Sequence, residues 1–190
     1  MTASAARVAR PNGWWGMAIF VATEATLFGA LVGTWIYLRI ENHHWPPRPL
    51  PNPPVLTPVL LTLLLLTTSV AFQLAWRAGR DLDRVRAWWL IAYAFAAQVF
   101  YLAWELHDFH DALHTWKPQS SAFGSVYVTL LGADHAHVIL GALLSAWLLL
   151  RLSARLTRYR LIGLQAVTFY VHAVNVITAV VLVVTVLPSV

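Results

Sequence analysis

The chain has no cysteine, so its chemistry rests on carboxylates and histidines. That excludes a disulfide scaffold, a thiolate metal site, an iron–sulfur cluster and a cysteine nucleophile. Glu24 stands alone in a long apolar run, while Gly132-Ala133-Asp134-His135-Ala136-His137 puts one carboxylate and two imidazoles in a single stretch. His172 and Asn175 lie in another. On a helix, positions three apart share a face, so Asp134 and His137 point together, whereas His135 and His137 diverge by about 200° and cannot chelate one metal. The shared face could form a hydrogen-bonded pair, a proton relay, or part of a site completed by His172 and Asn175; interhelical polar glue is the plainer expectation. His107, His110 and His114 recur at i, i+3 and i+7 beside Asp108 and Asp111, a spacing that could bind a surface transition metal. They are read as a wet, polar helix end, and Glu105 belongs to the same outer end, where it is expected to be partly hydrated. No residue is assigned a catalytic, metal-binding or cofactor-binding role.

The elements that must position these groups are set by composition. Of 190 residues, 59% are hydrophobic and 11% charged, with a mean hydropathy of +0.63, against roughly 25% charged in an ordinary soluble domain. A water-soluble globule is excluded. Apolar runs able to cross about 30 Å of hydrocarbon fall near 15–38, 56–76, 88–106, 126–150 and 163–187. They predict an all-α, polytopic bundle of five transmembrane helices, with residues 1–190 forming a single integral membrane domain. The first run is too long for a signal-peptide core and is expected to be retained. Glu24 then sits about 15 Å into its helix, close to the midplane, and Asp134 reaches a similar depth. A charge there costs several kcal/mol, so Glu24 must face other helices, either as an interhelical hydrogen bond or in proton movement or quinone chemistry.

The net charge of +5 follows from 13 Lys and Arg against 8 Asp and Glu. Arg7, Arg10, Arg77, Arg80, Arg84, Arg86, Arg151, Arg155, Arg158 and Arg160 fall on one side of the predicted membrane, and Arg39, Arg48 and Lys117 on the other. The positive-inside rule therefore places the N-terminus in the cytoplasm and the C-terminus outside. Membrane ends account for the charge without nucleic acid, and the basic side should attract anionic lipid headgroups at about 1 kcal/mol per cation. Six prolines between Pro46 and Pro54 predict a stiff outer strap. Trp14, Trp15, Trp45, Trp76, Trp88, Trp89, Trp104 and Trp116 fall near segment ends, as an aromatic belt would. Ala25, Gly29 and Gly33, then Gly132 with Ala136 and Gly141 with Ser145, offer small faces for close helix approach.

Several stretches together resemble subunit III of haem-copper respiratory oxidases, in its five-helix bacterial form. Gly16-Met17-Ala18-Ile19-Phe20-Val21-Ala22-Thr23-Glu24 with Leu27-Phe28 is similar to the family's GMxxFIxSE…FF helix, and Trp45-Pro46-Pro47 with Pro51-Asn52-Pro53 to its WPP…NP connection. Gln98 to Glu105, Phe123-Gly124-Ser125, Gly132 to Val138 and Tyr170 to Asn175 follow in the family's order. Where the family has a first His, a Gly, a Trp and an Asp, this chain has Asp134, His135, Val171 and Asn175, and the two extra N-terminal helices of the seven-helix form are absent. The resemblance implies an accessory subunit of a proton-translocating terminal oxidase in the bacterial inner membrane, without cofactors of its own, docked on oxidase subunit I, which with other subunits carries the haems and copper. It implies support of proton uptake and of stability during turnover, with bound phospholipid, and it matches Glu24 to a carbodiimide-reactive glutamate. The alternative is the subunit-III-like accessory protein of nitric oxide reductases. A b-type cytochrome using His137 and His172, or an independent transporter, would be a different class.

The charge distribution makes a topological prediction. Impermeant labels on single cysteines placed near Arg80 and Arg158 should react only from the cytoplasmic side, and those near Pro49 and Val190 only from outside; reaction of Arg80 and Pro49 sites from one side would break the five-helix map.

Overall fold

The computed structural model describes residues 12–42, 45, 55–154 and 158–186, with side chains for all but 158–160. The strap from Pro46 to Pro54, the cations Arg7, Arg10, Arg48 and Arg155, and both chain ends lie outside the described residues. Five helices follow one another: α1 (Asn12–Glu41), α2 (Leu56–Arg80), α3 (Arg84–Trp116), α4 (Ala122–Ala154) and α5 (Arg158–Val186). All five are long and apolar enough to span a bilayer.

The helices follow from the runs of Leu, Val, Ala and Ile, which leave backbone groups no partner in hydrocarbon except one another. Between α2 and α3 the chain reverses in three residues. Asp83 N–H donates to the Ala78 carbonyl at 2.9 Å and Leu82 N–H to that of Gly79 at 3.2 Å, which closes α2 with Leu82 in the left-handed region at φ 60°. Asp83 then caps α3, its Oδ1 accepting from the Arg86 N–H at 3.0 Å. Arg84 reaches across to donate to the carbonyls of Ser153 and Ala154 at 2.9 and 3.0 Å, covering the C-terminal end of α4.

Helices α2, α3, α4 and α5 form a closed ring, each touching the next and α5 returning to α2, while α1 lies outside in the groove between α4 and α5. The main core is therefore shared by α2 to α5 and includes Leu65, Phe72, Ile91, Tyr101, Leu148, Leu164 and Tyr170. Only Phe28 and Trp35 of α1 are buried. Trp35 is pinned by its indole N–H, which donates to the Val184 carbonyl at 2.9 Å, and by rings of Trp45, Phe123 and Tyr127 at 4.9–5.6 Å.

Three expectations are corrected. Helix α3 runs ten residues past the expected end at 106, because its polar last turns still bury Ala112 and Trp116, the latter against Tyr127 at 4.8 Å. Apolarity marks only the part that crosses lipid, whereas packing extends the helix beyond it. Trp116 is consequently core, not belt. The Arg80 guanidinium lies over the Trp76 ring at 5.1 Å. The small face of α1 is not a contact within this chain: a methyl group added at Gly29 or Gly33 would meet nothing within 4 Å. The close approaches are at Gly132, against Phe109, and at Gly141, against the Gln98 amide.

Gly124 is the tightest position, since a Cβ there would drive into the Trp116 carbonyl of the preceding turn. Gly124→Ala should lower the unfolding midpoint of the detergent-purified chain by the equivalent of about 1–3 kcal/mol, while Gly29→Ala should leave it unchanged; equal effects would place the α3–α4 turn elsewhere.

Candidate functional site

Glu24 and His137 meet across α1 and α4. Glu24 Oε2 lies 2.8 Å from His137 Nε2, and His137 Nδ1 lies 2.7 Å from the Ala133 carbonyl one turn earlier. A carbonyl only accepts, so Nδ1 carries a hydrogen. The Nε2 contact then holds one further proton, either on Glu24 facing an imidazole lone pair or on Nε2 facing a carboxylate. Both arrangements leave the pair with zero net charge, which is how a carboxylate is tolerated at this depth. The Phe28 ring stands edge-on to the imidazole at 5.2 Å. Side-chain exposure of 18% for Glu24 and 13% for His137 places the pair at the rim of the bundle rather than in its core. Tyr170 of α5 fixes the third side: its hydroxyl donates to the His137 carbonyl at 2.9 Å while its ring stacks on Phe20 of α1.

Asp134 and His137 bond to different helices rather than to each other. Asp134 points into the four-helix ring, where its Oδ1 accepts from the Thr178 hydroxyl at 2.7 Å and its Oδ2 from the Tyr101 hydroxyl at 3.3 Å. Helix α4 touches α1, α3 and α5 at once, so the roughly 60° between positions three apart is enough to send the two side chains to different neighbours. His172 and Asn175 do not complete a site with them either. His172 Nε2 faces the Gln73 side-chain oxygen at 3.3 Å, and the Asn175 amide lies within 3.0 Å of the Leu65 carbonyl and the Thr68 and Ser69 hydroxyls. Both belong to the α2–α5 seam. His137 is thus directed to Glu24 of α1 and His172 to Gln73 of α2.

Glu105 is largely buried, with its Oε2 3.4 Å from His135 Nε2, and it lines a cavity at the Trp116 end of the ring. His107 does face outward, 3.6 Å from Asp108, and the His110 and His114 rings are 4.8 Å apart. Among the described residues no three His, Asp or Glu side chains converge as a metal site. Reading the sequence alone passed over Gln73, Thr68, Ser69 and Thr178, the partners that decide where the singled-out residues point. Gln73, the one amide side chain in α2, was the clearest such signal. The Gln98–Ser145 bond of 2.7 Å joins α3 to α4 in the same way.

Residues 6–187 match the family of cytochrome c oxidase subunit III. The chain belongs to that family. Cytochrome c oxidase subunit 3 of Bacillus sp. strain PS3 is 28% identical over 171 residues, covering 87% of this chain and 81% of that protein. A probable cytochrome c oxidase subunit 3 of Nocardia farcinica is 27% identical over 168 residues, covering 85% and 81%. The subunit 3 of Pisaster ochraceus is 26% identical over 170 residues, covering 86% of this chain but 65% of that longer protein. This subunit III chain therefore keeps the family's pattern along nearly its whole length, while placing Asp134, His135 and Asn175 in the ring.

The α2–α5 seam yields a prediction. Asn175→Leu leaves the Thr68 and Ser69 hydroxyls without their buried amide and should cost about 1–3 kcal/mol, seen as a lower unfolding midpoint in detergent; no change would show that the seam does not depend on this amide.

Proposed function

We propose that the chain acts as the accessory subunit of a haem-copper terminal oxidase, seated in the bacterial inner membrane with its N-terminus cytoplasmic and docked on the catalytic subunit I. The family match over residues 6–187 carries this reading, and the relatives' names favour cytochrome c oxidase over a nitric oxide reductase. The whole chain serves as one membrane domain. The haems and copper belong to partner subunits, and the chain contributes packing and a proton-bearing pair.

The architecture supports that division. Helix α1 turns Ile19, Leu27, Ile36 and Ile40 outward beside the uncontacted Gly29 and Gly33, an apolar and narrow face for a neighbouring helix. Arg77, Arg80, Arg84 and Arg151 gather at the end opposite Trp116, suited to anionic phospholipid headgroups. The Glu24–His137 pair sits on the α1 side. Because its extra proton can rest on either partner without changing the net charge, it can hold or pass a proton without exposing a bare charge to hydrocarbon.

Glu24→Gln tests the role, since the amide can still donate to the Nε2 lone pair. The purified complex should assemble and reduce oxygen at a near-normal initial rate, then lose activity sooner than the parent during continued turnover. Glu24→Ala should assemble less well, because it strands His137 Nε2 in a medium without water. Immediate loss of oxygen consumption with intact haems would make Glu24 an obligatory proton carrier, and an unchanged lifetime would reduce the pair to packing.

A further inference from the structure

The last turns of α3 present two faces. One, with Glu105, Asp108, Ala112 and Thr115, lines the cavity at the Trp116 end of the ring. The other carries His110 and His114, both exposed and set roughly 150° around the helix from the first. These two imidazoles stand four residues apart, so they lie one above the other on one helix face. Their ring centroids are 4.8 Å apart with the planes at 70°.

That separation is the one a shared metal ion requires. An ion held about 2.0–2.1 Å from an imidazole nitrogen lies about 3.2 Å from the ring's centroid. Two such rings at square-planar or tetrahedral angles then have centroids roughly 4.5–5.2 Å apart. The pair already sits inside that range. Two histidines at i and i+4 on a helix are also the spacing by which a helix presents two imidazoles to zinc.

We propose that His110 and His114 chelate a divalent transition-metal ion, copper(II) most tightly, and that the bound ion clips together the last two turns of α3. Imidazole nitrogens select copper, nickel and zinc over calcium and magnesium, and copper stands highest among the divalent ions for such donors. Water completes the coordination, since no three of the described His, Asp and Glu side chains converge. His107 stands apart, its Nδ1 turned to Asp108 at 3.6 Å. The surroundings favour a cation: Asp108 and Asp111 flank the pair against Lys117 alone, and His114 lies in the last turn, where the helix dipole is negative. Clipping this segment has a consequence for packing, because the same turns bury Ala112 and Trp116. The proposal does not rest on the oxidase assignment.

The test uses the full-length chain in detergent, purified without a histidine tag, so that copper of other subunits does not enter the signal. Copper(II) is titrated in and followed by electron paramagnetic resonance and spin-echo modulation. One ion should bind per chain with two coordinated imidazoles. His110→Ala and His114→Ala should each weaken binding at least tenfold and leave one imidazole, whereas His107→Ala should change neither reading. The double variant His114→Ala/Thr115→His keeps the number of histidines but turns one about 140° away from His110; it should bind as weakly as His114→Ala. All these positions are exposed, and alanine is a good helix former, so the helix end is retained. In the parent chain, bound copper should also slow amide hydrogen exchange across residues 110–117. Parent-like binding by His110→Ala, His114→Ala or the double variant, an equal loss in His107→Ala, a single imidazole in the parent, or unchanged exchange would each overturn the proposal.

Discussion

A polar side chain inside hydrocarbon must be answered by another helix, and that requirement organises this bundle. Each seam of the ring has such an answer: Thr67 with Tyr93 between α2 and α3, Gln98 with Ser145 between α3 and α4, Asp134 with Thr178 between α4 and α5, and Asn175 with Thr68 between α5 and α2. Apolar side chains pack almost as well against lipid as against protein, so they give little preference for one neighbour or register. A hydrogen bond between two fixed positions gives both.

Helix α1 obeys the same rule with fewer ties. It adds two buried aromatic side chains to the bundle, one indole bond to α5 and one carboxylate–imidazole bond to α4. Most of its surface is apolar and uncovered by the chain's other helices. A helix so lightly held by its own chain is well placed to be shared with another subunit, and the Glu24–His137 pair then lies where packing by that subunit would act on it. The pair's zero net charge, and its freedom to keep its proton on either side, make it sensitive to neighbouring charge without being costly in its absence.

The ring carries a second polar assembly of opposite character. Around Glu105, Asp134 and His135 the groups are deeper, more numerous and incompletely satisfied. Where α1 meets α4 both ring nitrogens of His137 have partners; at the Trp116 end carboxylates, and no Lys or Arg, line the cavity among the described residues. These two assemblies meet α4 on different sides, with Asp134 and His137 about one sixth of a turn apart and the stretch Ala133 to His137 serving both.

From the sequence alone come the class, the helix number and the charge asymmetry, because a bilayer imposes length and apolarity on each segment separately and these are local properties. Glu24 is legible for the same reason: a carboxyl in the middle of an apolar run is conspicuous without any partner being known. The partners themselves are not local. That Asp134 turns to Thr178 while His137 turns to Glu24 depends on α4 having three neighbours, and a difference of one sixth of a turn selects between them. That α3 continues to Trp116 depends on Tyr127 waiting across the turn, and that Glu105 is buried depends on His135. Helical spacing tells which residues share a face; only the packed bundle determines what that face meets.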